Sequence, residues 1–183
     1  RVLAFAGKEY PGGEAVDASA DYADDDAKMA LAIRLSALNV EHGSGGPFGA
    51  AVFSPEGRLI GVGVNRVVPH STSIAHAEMM AFATSQQRVQ QFRLNAERGP
   101  ITLATSSQPC CMCYGASVWA GIDRLLIGAR AEDVESLAGF DEGPLPADWR
   151  GELQKRGIAV ITDLRRDEAR AVLAEYGRAG KVY

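Results

Sequence analysis

The chain is poor in cysteine, in long hydrophobic runs and in clustered positive charge, and each shortage excludes a class of protein. Its three cysteines all fall between positions 110 and 113, and such an odd, clustered set is a poor disulfide framework for a secreted domain. The apolar run at residues 1–6 is too short for a signal peptide or a membrane span. The formal net charge is −4 and the arginines are scattered, which argues against nucleic acid as a partner.

The remaining composition is that of an ordinary globular domain. With 183 residues, 46% of them hydrophobic and 23% charged, the chain is long enough for one domain with a sizeable core. We expect residues 1–23 to form an N-terminal arm and residues 24–183 to form the domain. Thiols that stay reduced predict a cytoplasmic protein. The sequence does not begin with methionine, so it leaves the native N-terminus open.

Apolar periodicity and turn residues predict an α/β fold. The pattern indicates a first helix from about Asp24 to Gly43, and strands near 48–53, 59–65, 101–105, 125–128 and 158–161. Further helices are predicted near 75–92, 109–120, 131–138, 147–156 and 166–176. The connection between the last two strands contains helices and is long enough for a crossover, so these strands can pair in parallel. We therefore expect a five-stranded mixed sheet flanked by helices.

A histidine and a Cys-x-x-Cys pair predict a catalytic metal site. His76, Cys110 and Cys113 offer one imidazole and two thiolates, a ligand set that suits zinc. The two cysteines are three residues apart and share one face at the start of a helix, where unpaired N–H groups favour thiolates. Three protein ligands leave one position of a tetrahedral zinc ion for a catalytic water, and Glu78 is placed to move protons. We expect one zinc ion per chain and hydrolytic chemistry.

Three other interpretations of these residues stay open from the sequence. Cys111 could replace Cys110 as the partner of Cys113. A structural zinc site would need a fourth protein ligand, which His42 or His70 could supply. The Cys-x-x-Cys pair could be redox-active instead of metal-binding. The catalytic interpretation is favoured because the His-x-Glu and Cys-x-x-Cys motifs occur together, each in a predicted strand–helix context.

At these motifs the chain resembles the cytidine deaminase superfamily of zinc hydrolases. The resemblance covers about residues 25–183 and implies a three-layer α/β/α domain. It is carried by Gly46–Ala50, Ala75–Glu78 and Cys113–Ala116, which are similar to the branch that acts on free bases and on tRNA adenosine.

Three further features are similar to bacterial guanine deaminases. These are Trp119, six residues after Cys113, the segment Gly139–Phe140–Asp141–Glu142, and a short basic tail that ends in Tyr183. In that family the C-terminal segment is exchanged between subunits and closes the partner's site. The resemblance therefore implies a homodimer with a lid formed by about residues 166–183.

The same resemblance implies roles for individual side chains in the site. Glu142 would join Glu78 as a catalytic residue and accept hydrogen bonds from the base. Contacts with the base would come from Phe48, Asn65, Ala77, Trp119, Asp141 and Tyr183. One departure from the family pattern is Gln108, which stands before Pro109 where the family usually has glutamate.

The predicted reaction is hydrolytic deamination of a small nucleobase. Guanine would give xanthine and ammonia, which would place the enzyme in purine metabolism. Cytosine, guanosine or a triazine could replace guanine, and deamination of tRNA adenosine is the nearest rival. The acidic balance of the chain and the expected tyrosine lid argue against the tRNA substrate.

Overall fold

The computed structural model describes residues 16–180, which form one α/β unit. The helices are α1 (Asp25–Glu41), α2 (Val67–His70), α3 (Ala77–Val89), α4 (Cys111–Ala120), α5 (Ala131–Asp133), α6 (Trp149–Gln154) and α7 (Arg166–Arg178). The strands are β1 (Gly49–Phe53), β2 (Leu59–Val64), β3 (Thr102–Ser107), β4 (Arg124–Ala129) and β5 (Ala159–Ile161). A π-helical turn, Val134–Ala138, continues α5.

The five strands form one mixed sheet, as the sequence predicted. Their order is β2-β1-β3-β4-β5, with β1 antiparallel to β2 and to β3. β3, β4 and β5 run parallel, so their carboxyl ends lie at the same edge of the sheet. Ligands of open α/β sheets bind at such an edge, and the segments that follow β3 and β4 begin there.

Helices cover both faces of the sheet and give the expected three layers. One core packs α1 and α7 against it, with Met29, Phe53, Leu126 and Leu173 among the buried side chains. The other core packs α3, α4 and α6 against the opposite face. β1 and β4 are buried on both faces, which explains why their sequences read as nearly continuous apolar runs. β3 is buried as well, although four of its six residues are Thr or Ser.

A glycine in β2 fixes how closely α3 approaches the sheet. A Cβ atom on Gly63 would overlap the carbonyl oxygen of Ala77 and the nitrogen of Ala81. Any larger residue would therefore push the first turn of α3 away from β2. Because His76 and Glu78 belong to this turn, Gly63 sets the depth of the predicted catalytic residues.

The structure corrects several predicted boundaries. The segment after β2 contains a short helix, α2, which the sequence did not predict because Pro69 lies within it. Pro109 precedes the N-cap, Cys110, so it is not in the first turn of α4. The predicted arm, residues 1–23, is described only from residue 16. In this part Val16 is buried, and the backbone of Asp21 forms an isolated antiparallel β-bridge with that of Arg58.

The C-terminal part of the chain divides into a packed helix and a short remainder. α7 packs against α1 and the π-helical turn of its own chain, and its apolar side is buried through Ala169, Leu173 and Tyr176. Residues 181–183, including the predicted lid residue Tyr183, lie outside the described residues. Within residues 16–180, no helix is long and apolar enough to cross a membrane.

Candidate active site

Three side chains meet at the N-terminal ends of two helices and form a metal-binding cluster. His76 is the N-cap of α3, Cys110 is the N-cap of α4, and Cys113 lies in the first turn of α4. Their ligand atoms all lie within 4.8 Å of one another, and the Cys110 sulfur is 3.4 Å from His76 Nδ1. Neighbouring N and S ligands of a tetrahedral zinc ion, with bond lengths near 2.0 and 2.3 Å, are about 3.5 Å apart. The spacing therefore fits zinc.

The charges of the two thiols also call for a cation. A hydrogen bond with Cys113 and another with His76 lower the pKa of the Cys110 thiol to about 4. The hydrogen bond with Cys110, together with burial, raises the pKa of Cys113 well above its usual range. The protein alone thus stabilises one thiolate of the pair. A divalent cation supplies the charge that holds both cysteines as thiolates.

The other cysteine and histidines do not join this cluster. Cys111 is exposed on α4, so the structure selects Cys110 and Cys113 as the ligand pair. His42 follows α1 and His70 ends α2, and neither is part of the cluster among residues 16–180. The described chain therefore offers three ligands, the number found in catalytic zinc sites.

Glu78 lies in the first turn of α3, beside the cluster, and is almost fully buried. Burial and the negative charge of Cys110 raise its pKa to about 7. A carboxyl group whose pKa lies near neutrality can both accept and return a proton during a reaction. This position next to the metal ligands is the one that a proton shuttle requires.

The cluster opens into a pocket of about 380 Å³, within the size range of small-molecule sites. Its lining residues are Phe48, Asn65, His76, Ala77, Glu78, Gln108, Cys110, Gly139, Phe140, Asp141 and Glu142. Three carboxylates are present, and the described lining contains no lysine or arginine. The pocket therefore suits an uncharged ligand that presents N–H donors more than it suits a phosphate.

One wall of the pocket is held by the turn that follows the π-helical turn. The carbonyl oxygen of Glu142 accepts a hydrogen bond from the Cys111 N–H at 2.9 Å, which ties this segment to α4. Glu142 is buried, and burial together with the charge of Glu78 raises its pKa to about 8. Asp141 is exposed, and its carboxylate accepts from the Gly143 N–H within its own turn at 2.9 Å. The two adjacent acids thus have different environments.

Of the eight predicted substrate and catalytic residues, six line the pocket, one lies elsewhere and one is outside the described residues. Phe48, Asn65, Ala77, Glu78, Asp141 and Glu142 come together there. Trp119 does not line this pocket; its side chain is 78% exposed and borders a different groove. Six residues along an α-helix turn the chain by about 240°, so Trp119 points away from the face that carries Cys113. Tyr183 lies outside the described residues.

Three lining residues, Gln108, Gly139 and Phe140, had not been predicted as site residues. Phe140 contacts Phe48 edge-on and stacks on Tyr176 of α7, with ring centroids 5.2 and 5.9 Å apart. Gln108 follows β3, and its side-chain oxygen accepts from the Ala131 N–H at 3.3 Å. The signals were present in the sequence, since Phe140 belongs to the Gly139–Glu142 motif and Gln108 adjoins Pro109.

The fold and the site together define a metal-dependent hydrolase of small molecules. Residues 23–129 match the model of the cytidine and deoxycytidylate deaminase zinc-binding region. The chain belongs to this family, and His76, Cys110 and Cys113 form its zinc site.

Among solved structures, the chain is similar to a guanine deaminase from Nitrosomonas europaea. The two are 43% identical with a TM-score of 0.84, over 87% of each chain. A structure of NE0047 in complex with 2,6-diaminopurine is 44% identical with a TM-score of 0.85, and covers 90% of this chain and 87% of that one. These likenesses extend well beyond the zinc-binding region.

Curated relatives include deaminases with different substrates. Guanine deaminase from Bacillus subtilis is 34% identical over 61% of this chain and 67% of its own length. A tRNA-specific adenosine deaminase from Buchnera aphidicola is 28% identical over 81% of this chain and 90% of its own length. The family is therefore shared by enzymes of free bases and of tRNA, and the pocket must decide between them.

Proposed function

We propose that this chain is a zinc-dependent guanine deaminase, which converts guanine and water to xanthine and ammonia. The observation that carries the proposal is the buried Glu78 beside a three-ligand metal cluster, at the base of a pocket rich in carboxylates. Its similarity to a guanine deaminase over 87% of each chain supports guanine as the base. The structure with 2,6-diaminopurine supports a purine that carries a 2-amino group.

The residues of the site divide the chemistry between them. Zinc held by His76, Cys110 and Cys113 supplies Lewis-acid activation of water. Glu78 accepts a proton from the attacking water as its oxygen bonds to C2 of the base. Glu78 delivers that proton to the ring nitrogen N3. It then takes the proton of the hydroxyl group now bonded to C2 and passes it to the amino nitrogen, so the C2–N bond breaks, ammonia leaves and C2 becomes a carbonyl. The burial of Glu78 keeps these transfers away from bulk water.

The remaining lining residues orient the base in this proposal. The N–H groups of a bound base favour the ionised form of Glu142, which can only accept hydrogen bonds. Asn65 contacts the purine edge through its amide, whose oxygen already accepts from the N–H groups of Gly46 and Val67 at 3.3 Å. Phe48 packs against the base, and Ala77 and Asp141 border it. Because the side-chain oxygen of Asn65 already accepts two hydrogen bonds, the proposal has Asn65 contact the base through its amide nitrogen, as a donor.

The same proposal includes a homodimer. α4 has no charged residue, and its outer side exposes Trp119 beside Phe92, whose side chain is 89% exposed. A groove between them and α3 is lined mainly by apolar and small side chains, with Arg93 and Gln86 at its margin. An apolar, uncharged face of this kind fits a self-complementary contact with a second copy. Trp119 then serves assembly and does not contact the base.

The tail and the setting complete the proposal. The predicted lid, about residues 166–183, begins with α7, which packs on its own chain, and its last residues, including Tyr183, lie outside the described residues. The proposal keeps the domain boundary at residue 24, and the cap of α1 by the Asp24 side chain supports it. Thiols must stay reduced to bind zinc, which supports the cytoplasm as the compartment. Guanine as the substrate would place the enzyme in purine metabolism.

The experiment is ammonia release from a panel of guanine, guanosine, cytosine, adenine and a triazine, together with a tRNA substrate. We expect turnover of guanine, with at least tenfold lower kcat/KM for the others. Turnover of tRNA adenosine in the absence of guanine turnover would overturn the substrate assignment. Zinc without any ammonia release would support the structural-zinc alternative.

The dimer and the tail are tested separately. Sedimentation equilibrium of the unmodified chain is expected to give a dimer, and Trp119→Glu is expected to give a monomer. A monomeric wild-type chain would overturn the dimer. A chain that ends before Lys181 is expected to have a higher KM for guanine, and unchanged turnover would remove the lid from the proposal.

A further inference from the structure

A buried asparagine outside the pocket connects the segments that carry two pocket residues. Asn39 lies near the C-terminal end of α1 and is 2% exposed. Its amide nitrogen donates to the carbonyl oxygens of Gly46 at 2.7 Å and Asn65 at 2.9 Å. Its amide oxygen accepts from the Ser44 hydroxyl at 2.7 Å. One side chain thus holds the loop before β1 and the end of β2.

The fold alone gives little reason for an asparagine at this position. Asparagine is a weak helix former, and a buried amide is unfavourable unless its hydrogen bonds are made. A leucine or alanine would suit a buried position on α1 better. Asn39 makes three short hydrogen bonds, so the sequence retains a satisfied polar side chain where an apolar one would also pack.

The contacts of Asn39 lead directly to the pocket. The backbone of Asn65 is held from two sides, since its N–H donates to the Phe48 oxygen at 3.1 Å and its carbonyl accepts from Asn39. The side-chain oxygen of Asn65 accepts from the Gly46 N–H, on the same loop. The positions of Phe48 and Asn65 relative to each other therefore depend on the two segments that Asn39 joins.

The packing around this contact leaves no room for adjustment. A Cβ atom on Gly45 would overlap the carbonyl oxygen of Asn65 and lie 2.8 Å from the amide nitrogen of Asn39. The loop backbone, Asn65 and Asn39 are therefore in direct contact, with no side chain between them. A displacement of Asn39 must displace Asn65.

We infer that Asn39 is a positioning residue for base binding, which acts by fixing Asn65 and the loop 43–47 at the edge of the pocket. This inference rests on the proposed function, because it takes Asn65 as a contact of the base. Asn39 does not line the pocket and does not touch the metal ligands. Its loss should therefore weaken binding of guanine and leave zinc and the proton shuttle in place.

The test is Asn39→Asp, which keeps the shape of the side chain but turns acceptor oxygens toward two carbonyl groups. We expect KM for guanine to rise about 10- to 100-fold, the range for an unsatisfied buried group. We expect kcat to stay within threefold and zinc content to stay at one per chain. A normal KM in folded Asn39→Asp protein overturns the inference.

The matched control is Thr84→Val on α3, which also removes a buried side-chain hydrogen bond, here to the backbone of β2. The Thr84 hydroxyl donates to the Val62 oxygen at 2.9 Å, and the side chain is 7% exposed but does not line the pocket. Thr84→Val is expected to lower the Tm while leaving KM unchanged. Equal rises of KM in the two variants would indicate general loosening and would overturn the inference.

A double variant separates positioning from a purely structural role. If Asn39 acts through Asn65, then adding Asn39→Asp to Asn65→Ala should raise KM by less than threefold more. A full additional 10- to 100-fold rise overturns the inference. If Asn39→Asp does not fold, Ser44→Ala is the substitute, because it removes the hydroxyl that contacts the side-chain and backbone oxygens of Asn39 at 2.7 and 3.3 Å. It is expected to raise KM about threefold, and an unchanged KM overturns the inference.

A readout that does not depend on activity distinguishes this inference from the proposed function. The side-chain amide of Asn65, assigned in ¹⁵N spectra by its loss in Asn65→Ala, should shift and broaden in folded Ser44→Ala or Asn39→Asp protein. It should be unchanged in Thr84→Val. Unperturbed Asn65 signals overturn the inference even if guanine is turned over. Absence of guanine turnover with perturbed Asn65 signals would count against the proposed function alone.

Discussion

The molecule contains two kinds of buried carboxylate, and their surroundings are opposite. Asp133, 3% exposed, accepts from the guanidinium of Arg166 at 2.8 and 2.9 Å, pairs with Arg170 at 3.1 Å, and accepts from the Arg130 N–H at 2.9 Å. The hydrogen bond from Arg166 holds its pKa below the usual value of 3.8. Glu78 and Glu142 are nearly as buried, but the lining of their pocket has no lysine or arginine, and burial raises their pKa values to about 7 and 8.

The difference separates a carboxylate that stabilises the fold from carboxylates kept for chemistry. The negative charge of Asp133 is balanced by Arg166 and Arg170, and these ion pairs join α5 to α7. In the pocket, acidic side chains are gathered beside the Cys110 thiol, and among its described lining residues only His76 can carry a positive charge. A divalent cation and an N–H-rich base would supply what the fold leaves out. Substitutions of the metal ligands and of the individual carboxylates test this division of roles.

Removal of a metal ligand should have the largest effect on activity. Cys113→Ala leaves one thiolate and one imidazole, too few to hold zinc firmly, so we expect loss of the metal and deamination below detection. Elemental analysis and ammonia release measure the two losses on the same sample. Cys111→Ala is the matched control, because Cys111 is exposed and outside the cluster. Full zinc content in Cys113→Ala would contradict the ligand assignment.

Loss of the proton shuttle should reduce turnover and leave the metal. For Glu78→Gln we expect kcat to fall about 10²- to 10⁴-fold, the usual contribution of general acid–base catalysis, with one zinc retained. The Tm should not fall, because the variant removes a buried carboxyl group beside which the described pocket lining has no lysine or arginine. Glu175→Gln, an exposed change on α7, is the control. Near-normal turnover by Glu78→Gln would assign the proton transfers to another group.

Loss of the second pocket carboxylate should affect binding more than turnover. Glu142→Gln retains the shape and the backbone bond to Cys111 but replaces an acceptor oxygen with a donor. A hydrogen bond to a charged group is worth about 1.5–3 kcal/mol, so we expect KM for guanine to rise about 10- to 100-fold. Steady-state kinetics with zinc analysis measures this. A change confined to kcat would give Glu142 a direct part in proton transfer.

The metal half of the site was predictable from the sequence because its information is local. His76 and Glu78 are two residues apart, and Cys110 and Cys113 are three apart, so each motif needs only one helix start to place it. The mixed sheet, with its last two strands parallel, followed from the same logic, since short hairpins and helical crossovers admit few arrangements. The family model and the solved relatives agree with these predictions.

The substrate half could not be predicted in the same way because its parts come from four separate segments. Phe48 and Asn65 were expected only through the resemblance, and Asn39 had no local signal, since its partner Asn65 is 26 residues away. Trp119 was likewise expected only through the resemblance, and its spacing of six residues from Cys113 places it on another face of α4, outside the described pocket lining. Long-range packing, rather than motif spacing, decides which side chains reach this half of the pocket.

The smallest effect on activity should come from the carboxylate that the comparison assigns to stability. For Asp133→Asn we expect kcat/KM for guanine within twofold of wild type and a loss of about 2–3 kcal/mol in the free energy of unfolding. Breaking a buried ion pair costs about 3–5 kcal/mol, and the lower figure applies because Arg166 and Arg170 stay partly hydrated. Urea unfolding at pH 7 measures the change.

The pH dependence gives this prediction its sharpest form. Because the pKa of Asp133 is lower in the folded chain than in the unfolded one, its contribution is present above the unfolded value, near 3.8, and is lost as pH falls through the folded value. The stability difference between wild type and Asp133→Asn should therefore be constant from pH 7 to about 5 and shrink below pH 4. A stability difference that grows on acidification would contradict a lowered pKa for Asp133 in the folded chain. A loss of turnover in Asp133→Asn would contradict the assignment of Asp133 to stability rather than to catalysis.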